Sequence, residues 1–137
     1  MGQLETGIRN AIQAVTAITA IVGERVRPLG VSPDDERPYL TYQITSRQNE
    51  DTLSDGPADY KRAEFEVGIF GDDYADVMDL SDLVRDLFDD YGTVVSGVEM
   101  DVMFDGESDV EEVIPEGGDL PIFVRVQTFR TLYRVTA

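Results

Sequence analysis

The sequence predicts an α+β fold: an antiparallel sheet of four to five strands with two helices packed on one face. Two stretches repeat their apolar residues at helical spacing, and the strand-like stretches alternate with one apolar face each. The order is α-β-β-β-α-β-β with a long protruding loop, not the regular alternation of a parallel α/β sheet. At 137 residues, one domain spanning 1–137 with one core is expected.

Residues 3–22 read as an amphipathic helix, because Leu4, Ile8, Ala11, Ile12, Val15, Ile18 and Val22 fall on one stripe. Gly23 follows the last of these as a stop signal. Val26 to Leu29 reads as a short strand. From Tyr39 to Arg47, Leu40, Tyr42 and Ile44 alternate with Thr41, Gln43 and Thr45, giving a strand. Residues 48–60 are polar, contain Gly56-Pro57 and are too long for a tight turn, so they are expected to project. Arg62 to Phe70 returns as a strand with Phe65, Val67 and Ile69 on one face.

A second helix is expected from about Asp73 to Tyr91. Asp72 or Asp73 caps it, Gly92 ends it, and Val77, Leu80, Val84, Leu87, Phe88 and Tyr91 form its apolar face. Val98, Met100, Val102 and Phe104 alternate with acids as a further strand. Residues 106–119 read as an acidic loop or ragged hairpin. Ile122 to Val135 is the last strand, with a slip near Thr128 to Arg130 that predicts a bulge.

Beneath this pattern lies an unusual charge. Twenty-eight acids face eleven bases, of which only Lys61 is a lysine, for a net charge of −17. Residues 34–119 hold 26 of the acids and five bases, whereas the ends are acid-poor. Such a surface will not grip nucleic-acid phosphates broadly, although it can line a passage through which DNA moves without sticking. Dense acid with arginine as almost the sole base resembles proteins of extreme halophiles. In molar salt the Debye length falls to about 3 Å and the self-repulsion is screened. A high-salt host is therefore expected.

Catalytic and metal chemistry find little support. The chain has no cysteine and no histidine, which removes thiolate sites, the commonest general base and the commonest zinc ligand. No serine has a histidine partner, and no phosphate-cradling glycine loop occurs. Asp101 to Glu112 matches several EF-hand positions, but Met103 stands where an oxygen ligand is needed. Asp72-Asp73 and Asp89-Asp90 sit at helix ends, where capping accounts for them. The expectation is no enzyme, no cofactor and no metal. No apolar run approaches the roughly 20 residues of a membrane span, and no membrane association is expected.

The last strand is the informative basic segment. Arg125, Arg130 and Arg134 lie among Phe123, Phe129 and Tyr133. Arginine among aromatics marks contact surfaces; it also suits a central strand whose arginines pair with acids of the same chain. Both readings stand at the level of sequence.

The ordered landmarks resemble the tail terminator, or tail-completion, family of long-tailed viruses. They are the first helix ending in Gly23, Arg25-Val26-Arg27-Pro28-Leu29, and Arg37-Pro38-Tyr39-Leu40-Thr41-Tyr42. Thr52-Leu53-Ser54-Asp55-Gly56, Phe65-Glu66-Val67, Tyr74 and Phe129-Arg130-Thr131-Leu132-Tyr133-Arg134 complete the set. The resemblance implies a non-enzymatic ring, usually hexameric, at the tail–neck junction of the virion. Such a ring stops tail-tube polymerisation, contacts the tail tube protein and a neck or connector protein, and lets DNA pass through its lumen without specific binding. It implies synthesis in the host cytoplasm. The family's long loop reaches towards neighbours or the tube; that role falls here on Arg47 to Lys61, including Asn49, Leu53 and Tyr60. Arg125, Phe129, Arg130 and Arg134 of the last strand are further candidate interface residues, from the arginine-among-aromatics pattern above. A head-completion adaptor or stopper, a tail-tube-like protein, and an acidic cellular binding module are the competing readings.

Overall fold

The computed structural model describes residues 3–28, 37–49, 61–89, 91–95, 97–113 and 122–135. Among them the elements are α1 (Gln3–Gln13), α2 (Thr16–Val22), β1 (Val26–Pro28), β2 (Tyr39–Asn49), β3 (Lys61–Gly71), α3 (Tyr74–Phe88), β4 (Tyr91–Val95), β5 (Val98–Val113) and β6 (Ile122–Val135). One six-stranded sheet has the order β1-β2-β3-β6-β5-β4. The α+β class stands, but with three helices and six strands, where two helices and four to five strands were expected.

The first expected helix is two. Val15 adopts an extended backbone (φ −87°, ψ 109°) and caps α2. Its N–H bonds the Ile12 carbonyl at 3.2 Å, tightening the last turn of α1 before the break. Val15 and Thr16 are adjacent β-branched residues, which lose little in an extended conformation. The stripe survives the break: Leu4, Ile8, Ala11 and Ile12 from α1 and Ile18 and Val22 from α2 are all buried. Gly23 ends α2 at φ 60°, a backbone state that disfavours a side chain, and its N–H bonds the Thr19 carbonyl at 2.8 Å. Arg25 then fastens the corner. Its guanidinium donates to the carbonyls of Ile21 and Pro38, at 3.2 and 3.1 Å.

β1 runs parallel to β2, with Val26 opposite Leu40, so the sheet is not wholly antiparallel. The chain from Pro28 to Tyr39 is long enough to return to the same end before β2 begins, whereas an antiparallel hairpin needs only a short turn. All other pairs are antiparallel.

Helix α3 starts where the sequence places it. Asp73 caps it by accepting the Ala75 N–H at 3.0 Å. We expect Asp73→Ala to cost about 1 kcal/mol, or about 4 °C in thermal midpoint, with Asp73→Asn retaining most of the cap. The helix ends earlier than expected, at Phe88 with Asp89 as its C-cap. Tyr91 to Val95 turns away as β4, a strand missing from the sequence reading. It is joined to β5 by a two-residue connection in which Gly97 has φ 79°.

β5 continues through the stretch read as an acidic loop, as far as Val113. Its partner β6 is long enough to satisfy it, and charge is matched across the pair: Asp109 faces Arg125 and Glu99 faces Arg134. The expected bulge exists but lies in the opposite strand. The register passes from Phe104–Phe129 to Gly106–Thr128, so Asp105 is the extra residue.

Helices α1 and α3 pack on the same face as the apolar strand residues, and α1 touches β1 and β2 as well as β4 and β5. The core there includes Leu40, Tyr42, Phe65, Val67, Ile69, Val102 and Phe129, against Ile8, Ile12, Leu80, Val84 and Phe88. At its centre Phe129 meets Phe65, Phe88 and Phe104 with ring centroids 5.2, 5.3 and 5.7 Å apart. The other face of the sheet has a smaller apolar group. Tyr39 stacks on Phe70 at 4.7 Å, and Phe70 pairs with Val124 across β3 and β6.

Candidate interface surface

The central strand β6 positions the arginines. Its odd-numbered residues from Phe123 to Tyr133 face the helices, following the register with buried Phe65, Val67 and Ile69 of β3. Arg125 belongs to that face. Its Nε donates to Asp109 Oδ1 at 2.6 Å, and its Nη2 donates to the Tyr74 hydroxyl at 2.9 Å. Tyr74 in turn donates to Asp109 Oδ2 at 2.9 Å. One edge of α3 is thus tied to β5 and β6 by three side chains. Beside them Gln127 is fully buried and donates to the Ser81 carbonyl at 2.9 Å and to Glu107 at 3.1 Å, while its Oε1 is unpartnered among the described residues.

Arg130 and Arg134 lie on the opposite, helix-free face. Arg134 pairs with Glu99 at 2.6 Å and Arg130 with Asp105 at 3.3 Å. Of the two readings of this strand, the structure therefore supplies the intrachain pairing for all three arginines, each with an acid of β5. Exposed apolar groups sit nearby: Met103 and Leu132 occupy the same face as Arg130. Phe129 does not belong to any outer surface. It is 0% exposed, because its register with Phe65 points it into the core.

The loop residues separate in the same way. Arg47 faces α1 and forms an ion pair with Glu5. Asn49 ends β2 opposite Lys61, the exposed first residue of β3. Leu53 and Tyr60, with the rest of residues 50–60, lie outside the described residues. Asp101 to Glu112, the stretch matching several EF-hand positions, is extended β5 backbone. Among the described residues no group of three acids is placed to hold a metal ion. No helix among them is long and apolar enough to cross a membrane.

The Arg125 guanidinium, by its hydrogen bonds, holds the Asp109 carboxyl below the usual carboxylate range, with the Tyr74 hydroxyl adding to the effect. A depressed folded-state pKa means the contribution is present above the unfolded value of about 3.9 and is lost as pH falls through the folded value. The stability gap between the wild type and Asp109→Asn is expected to shrink when urea midpoints are compared at neutral pH and near pH 3. A gap that grows on acidification contradicts the assignment.

No family model matches this sequence. No curated protein matches it either. The fold, however, has a counterpart. It is shared with a chain from the virion of a native gene transfer agent particle. That chain superposes with a TM-score of 0.69 at 16% identity, over 96% of this chain and 94% of its own length. At that identity the likeness is one of fold, and it extends over both helical and sheet layers.

Proposed function

We propose that this chain is a virion structural protein that closes a ring, hexameric as in the family it resembles, at the tail–neck junction. The ring ends tail-tube polymerisation, joins tail to head and leaves a lumen for DNA. The observation that carries the reading is the fold shared, over almost the whole of both chains, with a component of a gene transfer agent virion. The order of landmarks from Gly23 to Arg134 supports it from the sequence side. The acidic surface is consistent with DNA moving past without adhesion. In this reading the protein performs no catalysis and its partners are further copies of itself, a tail tube protein and a neck protein.

The test is imaging of the purified protein in molar KCl, followed by its addition to growing tail tubes. Closed rings that cap tube ends are expected. A protein that stays monomeric in molar salt, with no ring at the tail–neck junction of the particle, removes the reading. Rings that bind only the portal side favour a neck adaptor or stopper instead.

A further inference from the structure

Among the described residues both edges of the sheet are incomplete, and the two gaps are diagonal to each other. On one side β1 covers only Leu40 to Tyr42 of β2. Among the described residues nothing pairs with Gln43 to Asn49 on that side. On the other side β4 covers only Val98 to Val102 of β5, and Met103 to Val113 is likewise unpaired there. Following the registers across the sheet, Leu40 to Tyr42 lie level with Asp109 to Glu107, and Arg47 to Asn49 level with Val102 to Met100. Thus β1 sits at the level where β5 is open, and β4 sits where β2 is open.

We propose that a second copy of this chain joins head to tail through these edges, β1 of one copy filling the gap beside β5 of the next while β4 fills the gap beside β2. One strand then lies everywhere between β5 of one subunit and β2 of its neighbour. The directions agree with this. β2, β6, β4 and β1 run one way, and β3 and β5 the other. When the sheets of two copies continue side by side, β1 meets β5 in the antiparallel sense. Open backbone edges recruit partners unless blocked, and unlike edges that fit each other form a heterologous contact, the kind that closes into rings.

Charge selects the same pairing. β5 carries seven acids and no base; among the described residues Glu99, Asp105 and Asp109 pair with the arginines of β6. β1 carries Arg27 and no acid, and β2 carries no acid and one base, Arg47, which pairs with Glu5 of α1. Two β5 edges repel, whereas the acid-free β1–β2 side, with Arg27 on β1, does not repel β5. The side chains of Arg27 and Ser108 fall on the helix-free face by register, as would one at position 106, so an in-register joint brings Arg27 of one copy beside Ser108 of the next.

This inference rests on the ring reading and is tested so that the two can fail separately. The chain has no native cysteine. Arg27→Cys is combined with Ser108→Cys, or with Gly106→Cys for a shift of two residues. A Cβ at Gly106 meets nothing within 4 Å. Under mild oxidation in molar KCl, one of these double variants is expected to give a ladder of covalent oligomers on a denaturing gel, with single variants giving no species beyond a dimer. In the wild type, hydrogen exchange at outward amides of Gln43 to Asn49 and Met103 to Val113 is expected to slow about tenfold or more on assembly. This second measurement decides the matter even where a cysteine variant does not fold. Rings that form without cross-links and without protection of these two segments overturn the edge joint and leave the ring reading intact. No assembly at any salt concentration overturns both.

Discussion

Phe129→Ala is expected to cost about 3–5 kcal/mol, the largest single-residue effect in the chain. The total stability of a domain this size is only about 5–15 kcal/mol, so the variant is expected to unfold at a far lower urea midpoint or to fail to accumulate. The reason is geometric. Phe129 is wholly buried on the central strand and its ring touches those of Phe65, Phe88 and Phe104. Removing it opens a cavity shared by β3, β5 and α3, and three aromatic rings cannot collapse into it without leaving their rotamers. Its neighbour gives the contrast. Arg130 is exposed on the other face, and its pair with Asp105 is exposed at both ends, so Arg130→Ala is expected to stay within about 0.5 kcal/mol of wild type. Equal losses for the two substitutions contradict the register of β6.

That contrast also shows where sequence reasoning about the interface falls short. Phe129 and Arg130 looked alike as members of one basic aromatic segment, yet a strand sends successive side chains to opposite faces. Strand pairing decides which face is buried, and pairing is a non-local property. The partners of Arg125 and Arg130, Asp109 and Asp105, lie on β5 in or beside a stretch whose acidity marked it as loop. Acid content is a cue to exposure, not to backbone conformation, and a long arginine-bearing neighbour satisfies an acidic strand directly.

The strand and helix periodicities were legible where burial is one-sided. β2, β3, α3 and β6 begin within a residue or two of their expected limits, because Leu40, Phe65, Val77 and Val124 each open an apolar run of the right period. What was missed is short or unusual in its context. Tyr91-Gly92-Thr93-Val94-Val95 followed by Ser96-Gly97 carries a hairpin signal, β-branched residues before a two-residue turn ending in glycine. Gly92 instead served as a helix stop, which hid it. The break at Val15 left no mark on the apolar stripe, since both helices turn the same side to the core. The edges of the sheet, on which the proposed subunit joint rests, depend on the covering range of β1 and β4, and neither length nor pairing partner is encoded in local pattern.

The thermal midpoint is expected to rise by roughly 10 °C or more between dilute buffer and molar KCl, on the scale of about 4 °C per kcal/mol. The α3 helix shows how the strain accumulates. Asp76, Asp79, Asp82, Asp86 and Asp89 follow one another at three- and four-residue steps from the helix into its C-cap. Like charges at such spacing cost about 0.2–0.5 kcal/mol per pair, and Asp86 and Asp89 also stand at the negative end of the helix dipole. Arg85, the helix's one base, lies over the Phe104 ring at 4.2 Å. Asp101 and Glu107 of β5, which face no arginine of β6, add to this charge, and all of these carboxylates are exposed enough for salt to reach. Molar salt shortens the screening length to about 3 Å, below the separation of these neighbours, so the repulsion fades while buried apolar contacts do not. Replacing Asp79, Asp82 and Asp86 together by asparagine removes most of the row on α3. That variant is expected to melt higher than wild type in dilute buffer and to gain less from added KCl. A wild-type midpoint that does not climb with KCl, or a triple variant that gains as much as wild type, means that charge repulsion is not what the salt relieves.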